Sequence, residues 1–236
     1  MNESKRLSIS MTTRELVLGW LYVPIQLVFL VPLLDMLFRY MKWPLDSSNG
    51  VVWFNGAYWA INFLATVLIY HRFLGQSLVH VRKHFVGLVE AVVLGLVMYR
   101  AMEWGISWCI RLLKPAYQNI NDASIVDMAR ANPTIILIGT VFLVPVAEES
   151  IFRGLIFRGF FQKSRLAAYL VSTILFSFLH VYGYIGTYPA TEILIHSLSY
   201  LPAGIALGWA YEKADTILGP ILMHTIINAV AFSVLT

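Results

Sequence analysis

The sequence predicts an all-α membrane protein, a polytopic transmembrane helical bundle of about seven spans. Of its 236 residues, 58% are hydrophobic and only 13% are charged, whereas a soluble domain carries about 25% charged residues. Apolar runs of about 20 residues recur along the chain, and this is the length with which a helix crosses a bilayer core of about 30 Å. Backbone groups in lipid must be paired within their own segment. The runs are too long and too continuous for the alternating strands of a membrane barrel.

Seven apolar spans are predicted, and the long third span could contain an eighth crossing. They cover roughly residues 16–37, 51–70, 85–112, 134–161, 166–181, 193–211 and 216–235. The polar residues before the first span precede a run that is too long for a signal-peptide core, so this run is predicted to remain as a helix. The third and fourth spans are longer than one crossing needs, and each is predicted to be tilted, broken or extended beyond the membrane.

Lysine and arginine side chains in the loops predict the orientation of the bundle. Ten of them, including Lys5, Arg6 and Arg14, fall on the side of the N-terminus, and five fall on the other side. The N-terminus is therefore predicted to be cytoplasmic, and the short loops favour a bacterial cytoplasmic membrane. The net charge is +4, but the positive charges lie between apolar runs and form no basic stripe with stacking aromatics, so no nucleic-acid partner is expected.

The chain is predicted to form a single membrane domain over residues 1–236. Its longest polar stretch, residues 114–132, ends a set of N-terminal spans of unassigned role, residues 1–132. The C-terminal part, residues 133–236, carries the motifs described below. Pro133 suits the first turn of the helix that opens this part, because its missing N–H would have no partner there in any case.

Two adjacent glutamates, Glu148 and Glu149, lie inside the apolar fourth span. An ionisable residue at bilayer depth costs about 2.5 kcal/mol or more, so it indicates a functional role by default. Glu149 and Arg153 are four residues apart, share a helix face and are predicted to pair. Glu148 is rotated from that face by about 100° and lacks a local cation. A carboxylate without a cation in a low-dielectric site is suited to general-base work near neutral pH, and this assigns that role to Glu148.

Further polar residues occur at a similar depth in two later spans. The fifth span contains His180, and the seventh contains His224 and Asn228, which share one helix face. At 1.5 Å per residue, Glu148, His180 and Asn228 lie about 18–21 Å along their helices from the inner side. His224 is somewhat shallower. Three helices therefore place polar side chains at one level, which predicts a shared cavity within the bilayer.

The order of these motifs resembles a known family. Glu-Glu-x-x-x-Arg at residues 148–153 is followed by Phe-x-x-x-His at 176–180 and by His-x-x-x-Asn at 224–228. This order is similar to the CAAX protease and bacteriocin-processing family (CPBP, also called Abi), which includes the Rce1-type CAAX endopeptidases. Gly204-x-x-x-Gly208-x-x-Tyr211 is similar to the third motif region of that family, where small residues allow helices to approach closely. The resemblance covers the last hundred residues or so, from Pro133 onward.

The resemblance implies an intramembrane endopeptidase with Arg153 in support of five catalytic residues, namely Glu148, Glu149, His180, His224 and Asn228. It implies that Glu148 and His180 activate a water. It also implies that His224 and Asn228 stabilise the oxyanion of the tetrahedral intermediate, where one donor is worth about 3–4 kcal/mol. No metal or other cofactor is needed in this mechanism. The implied partners are the lipid bilayer and a peptide or protein substrate, such as a peptide precursor, a leader peptide or a short C-terminal tail.

Three alternatives stay open at the level of sequence. The glutamates and Arg153 could form a structural ion pair in a non-enzymatic immunity or scaffold protein. A zinc-dependent protease is the second alternative, because glutamate and histidine ligate zinc. No His-Glu-x-x-His motif is present, however, and the single cysteine, Cys109, excludes a cysteine-based cluster. The third is a proton-coupled transporter, although the sequence shows neither inverted repeats nor paired broken helices.

Other polar residues are predicted to have structural roles. Glu90 is expected to be buried and to face the bundle, whereas Arg100 and Glu103 are expected to pair near the outer interface. His196 is expected to be structural or to line a cavity. Residues 71–84 contain three histidines and three basic residues and are predicted to form a solvated inner loop near anionic lipid.

Overall fold

Helices predominate in residues 7–235, the part of the chain that the structure, a computed structural model, describes. They are α1 (Thr13–Tyr40), α2 (Ser48–Ile69), α3 (His71–Leu113), α4 (Ile120–Ala131), α5 (Pro133–Phe161), α6 (Arg165–Leu179), α7 (Ala190–Leu198), α8 (Leu201–Ala214) and α9 (Leu218–Leu235). A short 3-10 turn, Tyr182–Tyr184, follows α6. Lys5 and Arg6, on which the predicted orientation partly depends, lie outside the described residues.

The helices confirm the predicted polytopic bundle. Five stretches are long and apolar enough to cross a membrane, namely α1, α2, α3, α5 and α7 together with α8, and α6 and α9 are shorter apolar helices. The protein is therefore an integral membrane protein. Within α3 only His84 departs from helical backbone angles, so this helix bends there and shows no reversal that would create an eighth crossing.

The sixth predicted span is divided into two helices. α7 ends at Leu198, and α8 begins at Leu201 with Pro202 in its first turn. Proline has no N–H, and its ring collides with the preceding turn of a continuous helix. The chain therefore breaks at Ser199 and Tyr200, and both side chains line the cavity described below.

The prediction of an inner loop over residues 71–84 is wrong, because these residues form the first part of α3. The carboxylate of Glu15 explains the early start of this helix. Its Oε1 accepts a hydrogen bond from the N–H of Phe73 at 2.8 Å, while its Oε2 accepts one from the N–H of Thr12 at 2.8 Å. The first N–H groups of a helix have no partner within the helix. The buried Glu15 therefore caps α3 and also completes the capping box of α1.

α8 occupies the centre of the bundle and packs against α3, α6 and α9. Its glycines make this close approach possible, as the sequence predicts. A Cβ on Gly204 would lie 2.6 Å from Cγ2 of Thr173 on α6, and a Cβ on Gly208 would lie 3.2 Å from Cε2 of Phe157 on α5. Larger residues at these two positions would push the helices that carry the site apart.

Glu90 lies on the exposed face of α3, so the prediction that it faces the bundle is wrong. The buried face of this part of α3 is formed by small and apolar residues, which are Leu88, Ala91, Val92 and Gly95. A Cβ on Gly95 would lie 2.8 Å from Sδ of Met223 on α9. Glu90 is about 200° around the helix from Leu88. The close packing of small residues, and not the cost of exposing a carboxylate, decides which face is buried.

Two of the long helices contain π-helical segments. One covers Ile25–Phe29 of α1 and directly follows Pro24, whose missing N–H interrupts the regular hydrogen-bond ladder. In α5, a π segment covers Ser150–Phe157 and begins directly after Glu149. Such segments widen one turn of a helix and occur frequently at functional sites. A third π segment, Ile138–Leu143, also lies in α5, and all three contain or adjoin residues of the candidate site.

Candidate active site

A cavity of about 590 Å³ lies between the helices and is bounded by side chains from α1 to α6, α8 and α9. Glu148, His180, His224 and Asn228 all line it. These four residues come from α5, α9 and the C-terminal end of α6. The shared cavity that the depth argument predicts is therefore present.

Glu149 is the centre of a buried charged cluster. Its Oε1 accepts hydrogen bonds from Nη1 of Arg153 at 2.9 Å and from Nδ1 of His224 at 2.8 Å. The guanidinium also donates to the backbone oxygen of Gly204 at 3.1 Å and lies 4.4 Å from the ring centre of Phe176. Glu149 and Arg153 are both completely buried. The predicted pair is thus formed, and it fixes the position of His224 as well.

Glu148 has a different environment from its neighbour. It lines the cavity, and its buried Oε2 has no hydrogen-bond partner. The groups that act on it electrostatically are His224, Glu149 and Arg153, which are all engaged with one another. Oε2 of Glu149 also has no hydrogen-bond partner, but Glu149 does not line the cavity, so Glu148 is the carboxylate of the pair that a molecule in the cavity can reach.

His180 lies at the C-terminal end of α6 with a defined ring orientation. Its Nδ1 is 2.9 Å from the backbone oxygen of Phe176, and because a carbonyl oxygen can only accept, Nδ1 carries the proton of a neutral ring. The ring stacks on Tyr200, with 4.2 Å between centroids, and also contacts the ring of Phe176. These contacts leave Nε2 available as an acceptor towards the cavity.

Asn228 is held one turn after His224 on α9. Its Nδ2 donates to the backbone oxygen of Thr140 on α5 at 2.8 Å. An asparagine amide carries two N–H groups, so the second can still donate to a ligand in the cavity. Thr140 lies in the π segment Ile138–Leu143, where the regular ladder of helix hydrogen bonds is interrupted.

Within residues 7–235, no three side chains of histidine, cysteine, aspartate or glutamate are arranged so that they could hold a metal ion. Structural zinc sites have four protein ligands, and catalytic zinc sites have three. Arg153 lies within the same charged cluster and would oppose a dication.

The sequence did not identify several residues of the cavity. Gln26, Tyr58 and Asn62 from the first two helices line it, and so does Tyr200 from the break between α7 and α8. A glutamine or an asparagine in an apolar span was the available signal, because polar groups at this depth are expensive. No spacing rule connects residue 26 with residue 148.

The end of the cavity near α4 is acidic. Glu103 and Asp122 line it together with Tyr117 and Tyr184, and no lysine or arginine is among the described residues that line the cavity. Asp122 is accessible from the cavity but is surrounded by protein. Burial, with a smaller contribution from the charge of Glu103, raises the pKa of its carboxyl group to about 6.

Two of the structural assignments made from sequence are confirmed. Arg100 and Glu103 form an ion pair at 3.0 Å on α3. His196 is buried, and its Nδ1 contacts the hydroxyl of Tyr117 at 3.1 Å. It lies outside the cavity wall and supports the segment that leads into α4.

A known protein family matches the C-terminal part of the chain. Residues 130–230 match the family described as "Type II CAAX prenyl endopeptidase Rce1-like". The matched range contains Glu148, Glu149, His180, His224 and Asn228, whereas Gln26 and Tyr58 precede it. No solved structure matches the chain at a significant level.

A relative from Bacillus subtilis (strain 168), named "Putative membrane peptidase YdiL", is 28% identical over 109 residues. The match covers 46% of this chain and 40% of the relative. The matching segment thus spans less than half of either protein. Residues 130–230 of this integral membrane protein are thus similar to the Rce1-like CAAX prenyl endopeptidases of the CPBP family.

Proposed function

We propose that this protein is a membrane endopeptidase in which Glu148 is the general base that activates a water. The observation that carries the proposal is the free Oε2 of Glu148 on the wall of a cavity that also contains His180 and His224. Glu149 is occupied by Arg153 and His224. Two carboxylates with such different surroundings are typical of sites that divide catalytic and supporting roles.

In the proposed reaction, a water binds between Glu148 and Nε2 of His180. Glu148 takes a proton from the water as its oxygen attacks the carbonyl carbon of the scissile peptide bond. The tetrahedral intermediate then collapses, the C–N bond breaks, and the proton on Glu148 passes to the leaving nitrogen. No group other than water and the peptide is consumed. General-base catalysis of this kind contributes about 10²–10⁴-fold.

His224 and Asn228 are proposed to stabilise the oxyanion of the intermediate. The bond from Nδ1 of His224 to Glu149 orients the ring and leaves Nε2 for the substrate. Nε2 can donate to the oxyanion in the imidazolium form of the ring, in which both nitrogens carry a proton. Asn228 has its second amide N–H available, since the first donates to Thr140. Donors that are already fixed in place need no reorganisation when charge develops, and this is why each is worth several kcal/mol.

The substrate is proposed to be a polar peptide segment that carries positive charge. Asp122 and Glu148 line the cavity, as does Glu103, which pairs with Arg100 at 3.0 Å, whereas none of the described lining residues is a lysine or an arginine. A cavity lined by negative side chains attracts a positively charged peptide and repels a negatively charged one. An acidic segment would therefore bind less well than a basic one. The family name refers to prenylated CAAX substrates, but the charge of the cavity favours recognition of the peptide part.

Hydrolysis of a quenched fluorescent peptide library by the purified protein in detergent tests this function. We expect cleavage that survives a strong chelator, that is lost in His180→Ala and that is kept in His71→Ala, a matched change at an exposed histidine. Loss of activity with chelator and its return with zinc would instead identify a metalloprotease. Cleavage that is equal in His180→Ala and wild type would contradict the proposed site.

A further inference from the structure

Gln26 is a buried polar residue that the proposed mechanism does not use. Only 4% of it is exposed, and its Oε1 has no hydrogen-bond partner. It nevertheless lines the cavity. A buried acceptor that lacks a donor costs about 1–3 kcal/mol, and this cost is not offset by any contact that Oε1 makes in the protein.

The nearby Asn62 shows what a purely structural amide looks like in this region. Its Oδ1 accepts a hydrogen bond from the hydroxyl of Tyr22 at 2.7 Å, and its Nδ2 donates to the backbone oxygen of Tyr58 at 2.8 Å. Both ends of that side chain are satisfied. Gln26 differs, because its side chain lines the cavity beside that of Tyr58 and its carbonyl oxygen has no hydrogen-bond partner.

The local backbone places Gln26 in this position. It is the second residue of the π segment Ile25–Phe29, which directly follows Pro24. The interrupted ladder widens this turn of α1, and such turns are frequent at functional sites. The sequence therefore combines a helix irregularity with a polar side chain at the wall of the cavity.

Tyr58 connects this position to the proposed catalytic residues. It lines the same cavity as Glu148 and Tyr182. A phenol can donate one hydrogen bond, and a glutamine oxygen can accept one. Gln26 and Tyr58 thus present one acceptor and one donor beside the free carboxylate.

We propose that Gln26 and Tyr58 bind the peptide backbone of the substrate, with Oε1 of Gln26 accepting an N–H and the Tyr58 hydroxyl donating to a C=O. The inference rests on the proposed peptidase function. An extended peptide inside a membrane protein has unpaired N–H and C=O groups, and each must find a partner at that depth. This site supplies one partner of each kind, and it assigns a role in substrate binding to the helices that precede residues 130–230.

Binding can be measured without hydrolysis in the Glu148→Gln protein. The probe is a fluorescein-labelled peptide of alanines with one central lysine, so that most of its hydrogen-bonding groups belong to the backbone. We expect saturable binding, weakened about five- to tenfold by Gln26→Leu, as for the loss of one buried hydrogen bond. Tyr58→Phe should have a similar effect. Gln76→Leu, at an exposed position of α3, is the matched control and should bind as the parent protein does.

Ester analogues of the probe identify the atom that is recognised. Each analogue replaces one amide N–H by an ester oxygen. One of them should bind the parent protein about five- to tenfold less well and should bind Gln26→Leu with no further loss. Gln26→Leu should also unfold at a temperature no lower than that of the parent, because it removes an unpaired buried oxygen. A lower unfolding temperature with unchanged binding would make Gln26 structural and overturn the proposal.

The two proposals fail in different ways. If hydrolysis is observed but neither Gln26→Leu nor Tyr58→Phe changes the affinity for the peptide, the proposed binding of the peptide backbone is wrong, whereas the proposed peptidase function is supported. If binding depends on these residues but no peptide is cleaved, the binding site stands and the catalytic assignment is wrong. Absence of saturable binding to the parent protein contradicts the backbone site.

Discussion

Replacing Glu149 by glutamine removes the negative charge that holds Arg153 and His224 in one cluster. Oε1 of Glu149 is the acceptor for both, at 2.9 Å and 2.8 Å, and the ion pair with Arg153 has no exposed surface. Glutamine keeps the shape of the side chain but removes the carboxylate that pairs with the guanidinium, which then has only the weaker influence of Glu148 in the interior. The free energy of unfolding and the activity should therefore fall together.

The size of the effect follows from the remaining contacts of Arg153. Removing one partner of a buried ion pair costs about 3–5 kcal/mol. In Glu149→Gln the guanidinium keeps its bond to the backbone oxygen of Gly204 at 3.1 Å and the ring face of Phe176 at 4.4 Å. A desolvated contact between a cation and an aromatic ring contributes about 2 kcal/mol. We expect the loss to lie at the lower end, about 3 kcal/mol.

A double variant separates stability from chemistry. Glu149→Leu combined with Arg153→Met replaces both charges by apolar groups and should be more stable than either single variant, because no unpaired charge remains. Unfolding in detergent, followed by tryptophan fluorescence, measures each free energy. Peptide hydrolysis should remain absent in the double variant, since His224 has lost the group that orients it. A loss below about 1 kcal/mol in Glu149→Gln, or losses that simply add in the double variant, would refute the coupling.

Three other changes test separate parts of the structure. Glu15→Ala removes the cap of α3 and should lower the free energy of unfolding by about 1–3 kcal/mol; an unchanged unfolding temperature would show that the cap is dispensable. Gly204→Ala places a Cβ 2.6 Å from Thr173 and should cost about 1–3 kcal/mol. Gly87→Ala meets no atom within 4 Å and should be at least as stable as wild type, because alanine is favoured over glycine inside a helix. The pKa of Asp122 is raised to about 6 by burial, so its charge is present above that pH and lost below it. Affinity for a lysine-containing peptide should fall as the pH drops from 7 to 5, and a pH dependence that persists in Asp122→Asn would contradict this assignment.

The sequence was sufficient for the helical architecture and for the charged cluster because both depend on local spacing. Apolar runs of a fixed length specify the spans, and a separation of four residues brings Arg153 onto Glu149. The common depth of His180 and Asn228 follows from helix rise alone. The loops between consecutive helices are also short, and this leaves few possible directions for the helix that follows.

The residues that the sequence did not identify depend on contacts between distant segments. Glu90 was placed on the wrong side of α3 because the small residues Ala91 and Gly95, which meet α9, decide the packing. Helix α3 begins early because Glu15, far away in the chain, caps it. Gln26 faces the cavity because of a π segment after Pro24, and such a change of helix register has no simple pattern in the sequence.

The central claim is that Glu148 is the base of a peptidase, and hydrolysis by Glu148→Gln tests it most directly. Glu90→Gln is the matched control, since it makes the same chemical change in an apolar span but on the exposed face of α3. Both variants should insert and unfold like wild type. We expect Glu90→Gln to cleave the peptide library at the wild-type rate and Glu148→Gln to lose at least about 10²-fold. Undiminished cleavage by a correctly folded Glu148→Gln protein would contradict the assignment.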